Sequence, residues 1–350
     1  MTTGTVTYHT TYNYGQFLQA FALQKKVKNN EIINFIPNFL YEVGEDGRKK
    51  IPFFWFFVAI YRRLRKQKGC FTEWNILSFT RCFSFFSSVR KHVLKDVLIS
   101  GSDQIWSVCP ILMDYYFLNF GSKVCKRISY AASLGVKQWP KDFEQRVLPL
   151  LQRFDAISVR EESAVEYLSS LGLKNVVCVC DPTILHKGDF YRKEFGLVES
   201  PEKSVFIYKI REKIPDVVES IIQDNSNNSC SLRMVDLQNK KTICSVTQWL
   251  TNIDNAKFVV TDSFHCAVFC ILFHKPFVVL ANHGSGKGMN ERFQTLLGKT
   301  DLLYRVLPQD PTKEDVLERL NRPIDWEKID ATMEEWRTYS ANWLKEKLEE

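Results

Sequence analysis

The sequence of 350 residues has no apolar run of about 18 residues, the least a membrane-spanning helix needs, so no transmembrane helix is expected. Its first residues, Met1 to Val6, lack the basic stretch followed by an apolar one that marks a secretory signal. The ten cysteines show no spacing of a disulfide framework, and no Cys/His cluster has zinc spacing, so no metal is expected. Cys178 and Cys180 lie in an apolar run and read as buried thiols in a reducing cytosol. There is no internal repeat and no low-complexity segment. The lysines and arginines are dispersed and no recognition motif for nucleic acid is visible, so no nucleic-acid partner is expected.

What is there reads as a soluble α/β protein. The length suggests two domains of about 150–180 residues each. The chain is 45% hydrophobic and 25% charged, and its net charge of +7 permits an acidic partner without selecting one.

Gly4 to His9 reads as a strand, Thr10 to Gly15 as a polar turn, Gln16 to Val27 as a helix and Ile32 to Ile36 as a second strand. This is how a doubly wound sheet begins, and ligands collect at the carboxyl ends of such strands, where Asn13, Tyr14 and Gly15 sit. Plain turn chemistry is the competing reading of those three residues. Asp96 to Ile99 is a further strand, and it runs into Ser100-Gly101-Ser102-Asp103-Gln104, whose small residues let a ligand approach. Asp103 and Gln104 suit vicinal sugar hydroxyls. Arg160 ends the strand Ala156 to Val159; its guanidinium would pair with a carboxylate or phosphate, or else with Glu161 or Glu162. After Asp181-Pro182-Thr183 a looser polar stretch from Lys187 to Lys203 reads as the domain boundary.

Ile51 to Tyr61 is apolar and aromatic and is followed by Arg62, Arg63, Arg65, Lys66 and Lys68. It is too short to span a bilayer, but it suits a membrane interface. A helix packed on the domain, or a dimer contact, would look the same. The aromatics from Phe79 to Phe86 belong either to that surface or to the core.

In the second half, Phe258 to Thr261 is a strand that turns at once into an apolar helix, with Asp262 and Ser263 as N-cap residues and His265 in the first turn. A helix start favours an anion, and a histidine there can hold or move a proton beside it. A buried corner with a hydrogen-bonded histidine is the alternative. The loop Ala281 to Gly288 is rich in glycine and holds Lys287, without the spacing of a P-loop or dinucleotide fingerprint, and Arg292 follows it. Asp325 to Glu349 reads as a long amphipathic packing helix.

Taken in series, the segments Asn13 to Gln24, Gly101 to Trp106, Tyr130 to Gly135, Ser158 to Glu161, Asp181 to Thr183, Thr261 to His265 and Pro276-Phe277 resemble the polysaccharide pyruvyl transferases, over nearly the whole chain. The resemblance implies a GT-B-like fold with two Rossmann-like domains facing across a cleft. Residues 1–183 form the first, on the acceptor side, 184–322 form the second and hold the donor, and 323–350 are a helix returning to the first. It also implies transfer of pyruvate from phosphoenolpyruvate, a co-substrate and not a cofactor, to two sugar hydroxyls as a cyclic ketal with release of phosphate.

Under that resemblance His265 is the general acid, and Arg160, Ser263, Phe264, Lys287 and Arg292 bind the donor. Asn13, Tyr14, Gly15, Ser102, Asp103 and Gln104 are on the acceptor side. Two departures stand out. Some relatives carry an arginine where Ser263 is found, and a glycine where Cys266 is found. The implied acceptor is a cell-surface glycan or its lipid-linked precursor, which places the protein in the cytoplasm with peripheral contact to the inner membrane surface. A nucleotide-sugar glycosyltransferase and a non-catalytic glycan-binding protein of the same fold remain as alternatives, and the sequence leaves the oligomeric state open.

Overall fold

The computed structural model describes residues 1–9, 12–35, 71–110, 112–200, 204–227, 230–281 and 290–350. The aromatic–basic segment 51–68 and Lys287 lie outside the described residues.

The first half runs β1 (Thr3–Val6), α1 (Tyr14–Lys26), β2 (Asn30–Ile32), α2 (Phe86–His92), β3 (Val97–Ser100), α3 (Met113–Tyr116), β4 (Lys126–Ser129), α4 (Lys141–Leu151), β5 (Ser158–Val159), α5 (Glu162–Ser170) and β6 (Val177–Cys178). Strands β2-β1-β3-β4 form a parallel sheet, and single bridges from Ile128 to Ala156 and from Ala132 to Val159 extend it to the β5–β6 pair. A 3-10 turn at Pro182–Leu185 and α6 (Gly188–Phe195) lead into the second half. This half comprises β7 (Ser204–Lys209), α7 (Asp216–Asn227), β8 (Ser231–Asp236), α8 (Val246–Asp254), β9 (Ala256–Thr261), α9 (Phe264–Leu272), β10 (Phe277–Leu280), α10 (Glu291–Lys299), β11 (Val306–Leu307), α11 (Lys313–Asn321) and α12 (Trp326–Glu349). Its sheet is also parallel, in the order β11-β10-β9-β7-β8.

Parallel strands are covered on both faces and read as continuous apolar runs, and in β9 only Lys257 is exposed. The strand order reverses between β1 and β3 in one sheet and between β7 and β9 in the other, the points at which such sheets commonly bind a ligand beyond the carboxyl ends of their strands. The loop leading into α1 and the turn leading into α9 sit at these two places.

Helix α1 starts where Asn13 accepts the backbone N–H of Gln16 at 3.3 Å, and ends with Lys25 and Lys26 against its negative dipole end. Almost all of its surface is covered, because it lies between the two halves: Tyr14 stacks on Trp249 of α8 at 4.9 Å and 9°, and its hydroxyl donates to the Cys244 carbonyl. Helix α12 buries Ile329, Met333, Trp336, Ser340, Trp343 and Leu344, a stripe at spacings of three and four. The stripe spans both halves. Trp326 stacks on His274 and Lys299 lies over Trp336 in the second, while Trp343 meets Tyr130 and Ser340 Oγ accepts the Cys180 N–H at 2.9 Å in the first.

Two readings of the sequence need correction, and a third, left open, is resolved. The stretch that begins at Lys187 is not loose: it contains α6, whose Tyr191 is buried against Phe269 and donates its hydroxyl to the Thr183 carbonyl, while Asp189 and Lys193 face outward and Arg192 reaches over Phe273 to Asp254. Its polar composition hid a helix with a narrow apolar stripe. Several strands are shorter than their apolar runs, β1 ending at Val6 instead of His9. The aromatics from Phe79 to Phe86 divide, with Phe83 in the core and Phe85 61% exposed.

Candidate active site

The carboxyl ends of four neighbouring strands deliver one cluster. Asp103 follows β3, Ser133 follows β4, Arg160 and Glu161 follow β5, and Asp181 follows β6. Asp103 reaches in from a left-handed backbone (φ +69°), a conformation an aspartate tolerates better than most residues. Arg160 is buried at the centre. Its Nη1 donates to Asp181 Oδ2 at 2.8 Å, Nη2 is 3.6 Å from Asp103 Oδ1, and Nε is 3.6 Å from Glu161 Oε1. Only the first is a hydrogen bond; Nε and Nη2 make none. The salt bridge foreseen to Glu161 is thus one of three, and the shortest goes to Asp181.

The second half supplies the facing wall. Asp262 accepts the backbone N–H groups of Ile210, Arg211 and Glu212 at 2.7–2.9 Å, which ties the end of β7 to the turn after β9. Ser263 caps α9 by accepting the Cys266 N–H. That fixes Phe264, whose ring has the Arg160 guanidinium at 4.7 Å and that of Arg292 at 5.6 Å. It also fixes His265, whose Nε2 lies 3.4 Å from Asp181 Oδ2, a charge contact at the outer edge of hydrogen bonding. The ring is only 5% exposed, yet it is not in an apolar interior: it sits between Gly15, Phe264 and the Asp181 carboxylate.

Asp181 joins the two walls. Its Oδ2 also accepts from Ser102 Oγ at 3.1 Å, and its Oδ1 accepts from Thr183 N and Oγ1 at 2.9 and 2.6 Å. Burial alone would raise its proton affinity, but His265 first, then Arg160 and Thr183, hold its carboxyl well below the usual carboxylate range. Burial likewise works against the charge of Arg160, and the carboxylates of Asp181, Glu161 and Asp103 outweigh it and strengthen its hold on the proton. For Glu161 burial wins over Arg160 and Ser133, and its carboxyl is pushed up. Burial and the like charge of Arg160 lower Arg292 to about 10.

Of the residues singled out from the sequence, the structure gathers Arg160, Ser263, Phe264, His265, Arg292, Ser102, Asp103 and Gly15. Asn13 serves as the α1 cap, Tyr14 is buried between the halves, and the Gln104 carbonyl accepts from the Tyr8 hydroxyl. Asp181 and Glu161 were not among the candidates. Their signal was an acidic residue directly after an apolar strand, Asp181 reinforced by the proline that follows it. Among the described residues no group of three or more His, Cys, Asp or Glu is set to hold a metal ion. The nearby carboxylates converge on a guanidinium instead.

Comparison with known proteins agrees with this architecture. The chain is similar in structure to UDP-N-acetylglucosamine 2-epimerase from Rickettsia bellii (TM-score 0.54, 12% identity, covering 99% of this chain and 95% of that one). It is similarly related to UDP-GlcNAc 2-epimerase from Methanocaldococcus jannaschii (TM-score 0.50, 12% identity, 97% and 99%). At these identities the likeness shows the fold, which is GT-B-like with two Rossmann-like domains. No curated protein sequence matches the chain. The model of the polysaccharide pyruvyl transferases matches residues 13–284, which take in both walls of the site from Gly15 to His265, and the chain belongs to that family.

Proposed function

We propose that the protein moves the pyruvate unit of phosphoenolpyruvate onto two hydroxyls of one sugar, in a cell-surface polysaccharide or its lipid-linked precursor. The observation that carries this reading is the imidazole of His265 at the start of α9, sharing one carboxylate with Arg160 where the carboxyl ends of the two sheets meet. The donor bears a carboxylate and a phosphate. Arg160, with two buried guanidinium nitrogens lacking a hydrogen bond, and Arg292 beside it supply the positive charge, together with the N–H groups at the start of α9. Ser263 contributes as the cap that holds that helix start, in the place where some relatives carry an arginine.

In the reaction His265 gives a proton to the methylene carbon of the enol, the central carbon becomes electrophilic, and one sugar oxygen bonds to it. The second sugar oxygen then displaces phosphate from the same carbon. Of the two hydroxyl protons lost, one restores His265 and the other leaves with phosphate, so the ketal forms without an oxidant, reductant or cofactor. Because the ring is nearly closed off by Gly15, the donor enters as the two halves part at that contact. The acceptor binds on the side of Asn13, Ser102, Asp103 and Gln104.

Mass spectrometry of candidate lipid-linked oligosaccharides incubated with the protein and phosphoenolpyruvate tests this reading. The expected product carries one added ketal and appears with inorganic phosphate. Release of UDP or GDP from a nucleotide sugar instead would support glycosyl transfer and sink pyruvylation. We also assign the protein to the cytoplasm, touching the membrane through segment 51–68. Among the described residues no helix is long and apolar enough to cross a membrane. Unchanged liposome co-sedimentation of a Trp55→Ser, Phe56→Ser variant would remove the peripheral contact.

A further inference from the structure

Asp181 is the most heavily engaged polar side chain in the site, and the chemistry above gives it no part. It is fully buried, and its oxygens face Ser102, Thr183, Arg160 and His265. A carboxylate held this way by three fixed groups cannot swing to follow a substrate. What it can do is dictate which nitrogen of the neighbouring imidazole carries the proton. The two ring nitrogens of His265 are in different surroundings. Nε2 is buried and faces Asp181 Oδ2 at 3.4 Å, and it makes no hydrogen bond. Nδ1 lies on the opposite side, over Gly15 at the start of α1, where a side chain would fall 2.0 Å away.

We propose that Asp181 is a positioning residue: it keeps the proton of the neutral imidazole on Nε2 and so makes Nδ1 the nitrogen that exchanges a proton with the reacting molecule. A carboxylate is an acceptor only, so a ring facing it is stable with Nε2–H toward the oxygen and Nδ1 as the free lone pair; in the opposite tautomer two lone pairs would confront each other in a buried site. Protonation then occurs at Nδ1, and that proton alone is mobile, since the Nε2 proton stays with Asp181. The same carboxylate holds Arg160 Nη1, so the anion-binding cation and the proton-transferring ring are set in register by one group. Gly15 completes the device: with no side chain at that position, only its backbone lies against the Nδ1 edge, the contact at which the halves part. The identity of the reacting molecule rests on the pyruvyl-transfer reading; the tautomer does not.

The test is nitrogen-15 NMR of the imidazoles in the full-length protein, at a pH where the ring is neutral, with the His265 signals identified by their loss in His265→Gln. The expected result is an Nε2–H ring in the native protein and loss of that preference in Asp181→Asn. In the same variant kcat and kcat/KM for phosphoenolpyruvate fall together by ~10²–10⁴-fold, the range general acid–base catalysis supplies, because the lost interaction acts on the transition state. An Nδ1–H ring in the native protein overturns the proposal even if Asp181→Asn does not fold. Retention of tautomer and kcat in a folded variant overturns it as well. An Nε2–H ring in a protein that consumes no phosphoenolpyruvate upholds the role of Asp181 and overturns the pyruvyl-transfer reading.

Discussion

Gly15 and His265 touch across the two halves of the molecule so closely that a Cβ on residue 15 would fall 2.0 Å from Nδ1 and 2.4 Å from Cγ of the ring. The glycine is needed for space at this point, because its backbone is helical. The prediction is that Gly15→Ala pushes the ring off Asp181 or forces the halves apart. Either way turnover should fall by ~10²-fold, the cost of misplacing a catalytic group by about an ångström, with loss of ~1–3 kcal/mol of stability from overpacking. Steady-state kinetics beside a denaturant titration checks it; native kcat in the Gly15→Ala variant would mean that the contact has no bearing on catalysis.

A second prediction concerns acid. The folded-state proton affinity of Asp181 is depressed by His265, Arg160 and Thr183 against the opposing effect of burial. Its ionised form therefore stabilises the fold at every pH above the unfolded carboxyl value of about 3.9, and that contribution is lost as pH falls toward the lower folded value. Asp181→Asn should be less stable than the native protein by ~3–5 kcal/mol at neutral pH, as for a buried ion pair broken on one side. The gap should shrink progressively as pH falls below about 4. Urea midpoints across that range decide, and a gap that widens in acid would reverse the assignment.

Tyr14 yields a third. Its hydroxyl donates to the Cys244 carbonyl at 2.9 Å and accepts the Cys244 N–H at 3.1 Å, so one phenol satisfies two backbone groups of the opposite half. Tyr14→Phe keeps the stacking on Trp249 and orphans both groups, costing ~1–3 kcal/mol. Thermal unfolding should show this loss, whereas an unchanged melting temperature would mean that water replaces the phenol.

The fourth separates the two arginines at Phe264. Arg292 has a weaker hold on its proton than an ordinary arginine, through burial and the charge of Arg160, so an incoming anion relieves both. Arg292→Ala should raise KM for phosphoenolpyruvate by ~10-fold or more with the smaller change in kcat, as for a group that binds donor and transition state alike. Arg160→Ala should instead compromise folding, since it leaves Asp103, Glu161 and Asp181 buried around a void. Donor kinetics of the first variant and the soluble yield of the second check the distinction.

Much of this site could be read from local pattern. The strand–cap–helix signature at Thr261 to His265 survives in the structure because each of its parts is local: an apolar strand, a serine that caps, and an apolar helix. The opening Asn13 to Gly15 is likewise a cap and a close approach. What pattern alone could not give is which residues from distant strands meet. Arg160 and Asp181 are 21 residues apart and become neighbours only because β5 and β6 pair in parallel. Helix α6 was missed because its buried face is little more than Phe190, Tyr191 and Phe195, too narrow a stripe to outweigh its charges. Asp181 was passed over because an Asp-Pro pair after a strand is ordinary turn chemistry until its oxygens are seen to face His265 and Arg160.

Helix α12 is made after every other element described, and its Ser340 is the acceptor for the backbone N–H of Cys180, immediately before Asp181. That bond ties the C-terminal helix to the peptide directly before the carboxylate that faces both His265 and Arg160. A change in the last helix is thereby felt at the site, although Cys180 and Ser340 are 160 residues apart in the chain.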